Sequence, residues 1–233
     1  MKSAKQIVII TGAARGIGLE LTRQNLAQGH QVIVGVREPK EATDLQALQS
    51  KTGTQLTILE LDVQSDESVR KFASALKVDH IDVLINNAGV YIDSAQDSTD
   101  VAAKSVLETL NINSVGPIRV AQALLPLLKK SSEPRIANIS SQMGSIGDNS
   151  GGGSVAYRMS KAAVNMFTKT LAIDEKSVIS LALHPGWVKT RMGGAQAPLE
   201  ATASAEGLLN VILGAKSSDS GKFLSYSGRD LPW

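Results

Sequence analysis

Cysteine is absent from this 233-residue chain. The absence excludes a disulfide framework, a zinc–thiolate centre and a cysteine nucleophile, and it suits a reducing compartment. Basic runs are missing too: 24 Lys and Arg against 22 Asp and Glu leave a net charge of +2. The nearest cluster is Lys129-Lys130, placed where a helix should end and cations offset its dipole. Nucleic acid is therefore not an expected partner. No stretch approaches the roughly 18 apolar residues of a membrane span. Met1 to Lys5 leads almost directly into a strand-like run, which leaves no room for a signal peptide. The expectation is a cytoplasmic protein without a membrane partner. His30, His80 and His184 lack the spacing of a zinc helix, so no metal site is expected.

What is present alternates. Ile7-Val8-Ile9-Ile10 is continuously apolar, as in a strand covered on both faces. Residues 32–34, 56–59, 83–85, 136–139, 179–183 and 222–224 repeat the theme. Segments of helical length separate them, among them 16–28, 40–49, 65–76 and 156–174. Seven candidate strands separated by helices predict an α/β fold: a doubly wound, Rossmann-type, seven-stranded parallel sheet with helices on both faces. No composition shift marks a boundary, so residues 1–233 read as a single domain. A chain of this size buries roughly 70% of its unfolded surface and needs no covalent staple. The low-complexity patch Asp148-Asn149-Ser150-Gly151-Gly152-Gly153-Ser154 reads as a mobile loop.

Directly after the first strand comes Thr11-Gly12-Ala13-Ala14-Arg15-Gly16-Ile17-Gly18, then a helical pattern. Glycines permit close backbone approach, and free N–H groups at the start of the next helix suit a pyrophosphate. The spacing is G-x-x-x-G-x-G, not the G-x-G-x-x-G fingerprint; alone, it is also compatible with an ordinary strand–helix connection. The end of the second strand chooses the cofactor. A carboxylate there would bind the ribose 2′-OH of NAD, whereas this chain has Val36 followed by Arg37, with Arg15 inside the glycine turn. Two guanidiniums suit a 2′-phosphate, each charge-assisted bond contributing about 1.5–3 kcal/mol. Glu38 is close by, and its side chain is expected to point away. NADP(H) is the expected cofactor.

Four motifs now stand in order: Thr11-Gly12-x-x-x-Gly16-x-Gly18, Asn86-Asn87-Ala88-Gly89, Tyr157-x-x-x-Lys161 and Pro185-Gly186. Together they resemble the short-chain dehydrogenase/reductase family over nearly the whole chain. Within it, the chain looks most like the branch of sniffer-type carbonyl reductases and C-factor. The segments that carry this finer likeness are 143–149, 156–161 and the closing Gly228-Arg229-Asp230-Leu231-Pro232-Trp233.

Tyr157 and Lys161 stand four apart on a predicted helix and share a face. A phenol with its reference pKa near 10 is a poor acid–base group at neutral pH. A cation within about 4–6 Å favours the phenolate by roughly 1–3 pKa units, which moves the group toward a useful range. The resemblance implies that Ser141 polarises a carbonyl. Ser140 competes, although the family's Ser-x-x-Gly spacing to Gly144 favours Ser141. Asn113 matches the family asparagine that distorts its helix and holds a water beside the lysine, with Asn111 close enough to compete. Also by resemblance, Lys161 holds the nicotinamide ribose, Asp62 and Val63 border the adenine, and Asn87 lies under the adenosine ribose with Ala88 and Gly89 in the same cofactor-binding set. Asn86 is expected to brace the fourth strand, and Val188 and Thr190 to meet the nicotinamide.

Sixteen positions separate Ser141 from Tyr157, more than the family pattern. The loop at 147–154 is therefore either a lid at the pocket mouth or a tolerated surface insertion. Small residues after Thr190 predict a modest cover, and Trp233 packs on its own core or crosses a dimer axis. The expected function is an NADPH-dependent carbonyl reductase, an oxidoreductase moving hydride to an aldehyde, ketone or quinone with Tyr157 as general acid. An NAD(P)-binding signalling protein of C-factor type and an NAD-linked alcohol dehydrogenase stay open. The expected partner is a small carbonyl or alcohol, and the resemblance implies a homo-oligomer, dimer or tetramer.

Overall fold

The computed structural model describes residues 5–92 and 97–233. Seven strands form one sheet: β1 Ile7–Thr11, β2 Gln31–Val36, β3 Leu56–Glu60, β4 Val83–Asn86, β5 Arg135–Ile139, β6 Ile179–His184 and β7 Lys222–Ser225. Their order is β3-β2-β1-β4-β5-β6-β7, and every pairing is parallel. Each strand grew from one of the expected apolar runs. The helices are α1 Gly16–Ala27, α2 Thr43–Thr52, α3 Asp66–Ala75, α4 Ala103–Leu110, α5 Gly116–Leu128, α6 Val155–Asp174 and α7 Ala201–Gly214.

The runs are apolar because the sheet is covered twice. Successive strand residues point to opposite faces, so Val8 and Ile10 join Val32, Val34, Val83 and Ile85 in one core cluster. Ile9 joins Ile33 and Leu84 in the other, as the register Ile9↔Ile33 and Ile9↔Leu84 requires. Leu19, Leu21, Leu45, Leu208 and Ile212 bring α1, α2 and α7 onto the first face. Val69, Phe72, Val120 and Leu124 bring α3 and α5 onto the second, with Phe167 and Leu171 of α6 packed alongside. Each fully buried aliphatic contributes roughly 1.5–3 kcal/mol, so these clusters hold the sheet that carries the site.

The chain winds outward from β1 to β3, then returns to β4 beside β1. At such a reversal the connections leave in opposite directions and open a crevice at the carboxyl ends of the strands. Residues 12–18, 37, 87–91, 140–141 and 185–190 all follow strands at that end.

Between α4 and α5 lies a π turn, Asn111–Val115, in which the Gly116 amide donates to the Asn111 carbonyl. Single π turns inside helices concentrate at functional sites, and this one holds Asn113. The end of the chain packs on its own core: Trp233 stacks on Phe223 with ring centroids 5.6 Å apart. Among the described residues no helix is long and apolar enough to cross a membrane.

Candidate active site

The glycine turn is held from below by the end of β4. Thr11 Oγ1 accepts from the amides of Asn87 (3.1 Å) and Ala88 (3.0 Å). Asn87 Nδ2 in turn donates to the carbonyls of Thr11 and Gly12, both at 3.0 Å. The contact leaves no space for side chains: a Cβ on Gly12 would lie 2.7 Å from Ala88 Cα, and one on Gly18 would lie 2.5 Å from Asn87 Nδ2. Thr190, on the loop after β6, approaches from above, its methyl 3.2 Å from where a Gly16 Cβ would sit. Arg15 caps α1 without a side-chain hydrogen bond, so the first amides of the helix, around Gly16, Ile17 and Gly18, face the crevice without intrahelical acceptors. Arg15 and Arg37 are both exposed, and neither has an ion-pair partner among the described residues. Glycine cradle, open helix start and two available guanidiniums fit a phosphorylated dinucleotide.

Other expected cofactor positions are placed less simply. The Asp62 carboxylate accepts from the Gln64 amide at 3.0 Å and keeps partial exposure. Val63 is buried, with the Cβ position of Gly116 only 3.0 Å from its side chain, so that side chain packs under the helix. Asn87 braces the glycine turn as described, and Asn86 braces the sheet by donating to Asn138 Oδ1 at 2.8 Å. Val188 is buried and bridges Leu199. Its neighbour Thr190 accepts from the Gly193 amide at 3.1 Å.

Beside the crevice the four expected catalytic residues converge from three elements. Ser141 follows β5; its hydroxyl accepts from the Met143 amide at 3.2 Å and lies near enough to the Tyr157 phenol to lower its pKa. Ser140 turns the other way and donates to Asn165 Oδ1 at 2.6 Å, which leaves Ser141 as the serine on the Tyr157 side. Lys161 Nζ lies 5.5 Å from the Tyr157 ring centroid and donates to the Ile139 carbonyl at 2.8 Å. Asn113 clamps Val90, accepting from its amide at 2.8 Å and donating to its carbonyl at 2.9 Å, and also donates to Ser160 Oγ at 3.0 Å. Gly89 sits between them, its Cβ position 3.2 Å from Asn113 Oδ1 and 3.7 Å from Lys161 Nζ. Asn111 faces away toward Arg119, which donates to it at 2.8 Å.

The electrostatics correct one expectation. Burial pushes the Tyr157 phenol up to about 12, and the hydrogen bond from Ser141 offsets only part of the rise. Burial also lowers Lys161 to about 8. Desolvation disfavours the charged form of both groups and is the largest cause of both shifts in the free protein. His184 is held neutral, lowered to about 4 mainly by burial and secondarily by Arg229.

A model of the short chain dehydrogenase family matches residues 6–200. The chain belongs to the short-chain dehydrogenases. It is 43% identical over 168 residues to C-signal of Myxococcus xanthus, covering 71% of this chain and all of that protein. Its fold is similar to the carbonyl reductase Sniffer of D. melanogaster, with TM-score 0.92 and 36% identity over 98% of this chain and 100% of that one. It is equally similar to the NADPH-bound carbonyl reductase from chicken fatty liver, with TM-score 0.93 and 35% identity over 98% and 99% of the chains.

In this short-chain dehydrogenase the long segment before Tyr157, expected as a mobile loop, makes several hydrogen bonds to its surroundings. Arg158 Nε donates to the carbonyls of Gly152 (2.9 Å) and Gly153 (3.0 Å). Gln142 Nε2 donates to Asp148 Oδ2 at 2.9 Å, and the amides of Ile146 and Gly147 donate to the Trp233 main-chain oxygen at 3.1 and 2.9 Å. The glycines made the segment look free; the latch comes from an arginine beyond it in sequence. Sequence reasoning also passed over Tyr91, whose ring centroid lies 4.6 Å from that of Tyr157. No spacing rule links residues so far apart.

Proposed function

We propose that this short-chain dehydrogenase is an NADPH-dependent carbonyl reductase acting on an aldehyde, ketone or quinone. The observation that carries the reading is the Tyr157 phenol beside the Ser141 hydroxyl with Lys161 Nζ 5.5 Å from its ring, next to a crevice fit for a dinucleotide. Arg15, Arg37 and the glycine turn would hold the cofactor's phosphates. NADPH, when bound, supplies the hydride that the carbonyl carbon accepts. The chain does the rest. Ser141 donates a hydrogen bond to the carbonyl oxygen and stabilises the charge that develops there. Tyr157 gives that oxygen its proton, so that C=O becomes CH–OH, and its raised pKa keeps the phenol protonated until then. Lys161 supplies positive charge beside the phenol that has lost its proton.

Turnover of NADPH with a panel of aldehydes, diketones and quinones tests the proposal. Tyr157→Phe should lower kcat by about 10²–10⁴ while NADPH still binds; full activity in that variant refutes the role of the phenol. Similarity to C-signal favours a second reading, a nucleotide-binding signalling protein. Tight NADPH binding without turnover of any carbonyl or alcohol would support it. The proposal extends to a homo-oligomer: Leu107 on α4 and Met166 and Ile173 on α6 leave apolar side chains exposed, and light scattering gives the mass in solution.

A further inference from the structure

Tyr91 lies outside the four residues assigned above, yet the fold fixes it at both ends. Its main chain follows Val90, which Asn113 holds by both amide and carbonyl. Its hydroxyl lies 2.6 Å from Ser154 Oγ. Between those anchors its ring meets the ring of Tyr157 at 4.6 Å and an interplanar angle of 53°. Tilted aromatic pairs at such distances gain from quadrupole complementarity as well as from burial.

Ser154 is the more telling partner. Gly152, Gly153 and Ser154 have φ of +60°, +65° and +50°, three successive residues in the left-handed region, and Ser154 then becomes the N-cap of α6. Among the described residues it is the single non-glycine residue with positive φ. If backbone freedom were the only requirement, a further glycine would meet it without the penalty a Cβ brings. A serine there supplies a hydroxyl, and that hydroxyl meets Tyr91. Strained residues persist where their surroundings over-determine them and where function uses them. Here the surroundings are Arg158, bonded to both preceding carbonyls, and Tyr91.

We propose that Tyr91 is a positioning residue: with Ser154 it braces the aromatic ring of Tyr157 from the side, holding the phenol toward Ser141. The other side is held through the main chain, because Ser160 Oγ donates to the Tyr157 carbonyl at 2.8 Å and accepts from Asn113. Asn113 therefore anchors both arms, one through Ser160 and one through Val90 and Tyr91. Tyr91 also reinforces the upward shift of the Tyr157 pKa. The inference rests on Tyr157 being the proton donor of the proposed reductase, but its structural half does not need turnover.

The test uses Tyr91→Phe, which keeps the ring, Tyr91→Leu, which removes it, Ser154→Ala, and the Tyr91→Phe/Ser154→Ala pair. A neutral hydrogen bond contributes about 1 kcal/mol, so Tyr91→Phe and Ser154→Ala should each lower kcat roughly fivefold. The loss in the pair should be smaller than the product of the two single losses, since both remove the Tyr91–Ser154 bond, and Tyr91→Leu should be worse than Tyr91→Phe. KM for NADPH should stay within about twofold, a split that general destabilisation does not produce. The chain has three tyrosines, so NMR of ring-labelled tyrosine reads the Tyr157 ring directly. Its resonances should shift in both hydroxyl variants, whether or not a substrate is known. Unmoved Tyr157 resonances, or additive kinetic losses in the pair, overturn the brace. Moved resonances in a protein that turns over no carbonyl leave the brace standing and overturn the reductase instead.

Discussion

Raising the pH through Lys161 probes the electrostatics of the site most directly. Burial lowers this ammonium from its usual 10.5 to about 8, which corresponds to about 3 kcal/mol of lost preference for the charged form. Lys161 is therefore charged at pH 7 and mostly neutral by pH 9, while Tyr157, raised to about 12, stays protonated throughout. If the ammonium serves the reaction, kcat/KM for NADPH, which reports the free enzyme, should be flat below pH 8. Above that it should fall roughly tenfold per pH unit. Unfolding does not explain such a limb. The folded pKa lies below the unfolded one, so the unfolded chain binds more protons between about 8 and 10.5 and this group makes the fold more stable as pH rises there. The control is Lys161→Arg, whose guanidinium keeps its charge across the range. Whatever activity it retains should lack the limb, and the pH dependence of NADPH binding, followed by cofactor fluorescence, should flatten in parallel. A limb centred above pH 10, or one unchanged in Lys161→Arg, refutes the reasoning.

Two further outcomes follow from the crevice. Arg15→Ala/Arg37→Ala should raise KM for NADPH at least tenfold, from the roughly 1.5–3 kcal/mol of each charge-assisted bond, and leave KM for NADH nearly unchanged; an unaltered preference in steady-state assays removes the case for the 2′-phosphate. Gly18→Ala forces a Cβ to within 2.5 Å of Asn87 Nδ2 and 2.6 Å of the Gly12 carbonyl. Overpacking of this kind costs about 1–3 kcal/mol, and thermal melting should drop by roughly 2–4 °C for each kcal/mol, with weakened NADPH binding.

The sheet was legible because parallel strands covered on both faces are predominantly apolar, and seven short runs of that kind recur between helical segments. The glycine turn and the Tyr157–Lys161 pair were legible because each is a short pattern of fixed local spacing that matches the family's motifs. What stayed hidden depends on contacts distant in sequence. Adjacent residues of an extended chain point oppositely, so one of Ser140 and Ser141 had to face α6's interior and the other the crevice; only Asn165 on α6 decides which. The π turn at Asn113 leaves no mark in hydrophobic periodicity; a distortion there was expected from the family resemblance alone, and the fold adds that Asn113 clamps Val90, 23 residues earlier. The glycines of 151–153 spell flexibility until Arg158 folds back on them.

The misjudged quantity was the pKa of the phenol, and the reason bears on the direction of the chemistry. A cation four residues away on a helix suggests an acidified tyrosine, but that inference assumes a solvated ammonium at full strength. Here one cause acts on both groups: the packing that dehydrates Tyr157 also dehydrates Lys161, raising the first and lowering the second. A phenol near 12 is nearly always protonated at neutral pH, and ionising it there costs about 7 kcal/mol. Such a group is a ready donor and a scarce base, so the free protein is poised to protonate a reduced carbonyl oxygen more than to deprotonate an alcohol. The same common cause means the two shifts should not separate. A substitution that lets water into the site without touching either residue should lower the tyrosine and raise the lysine together, moving the alkaline limb of the proposed reductase upward while any alcohol oxidation at neutral pH improves.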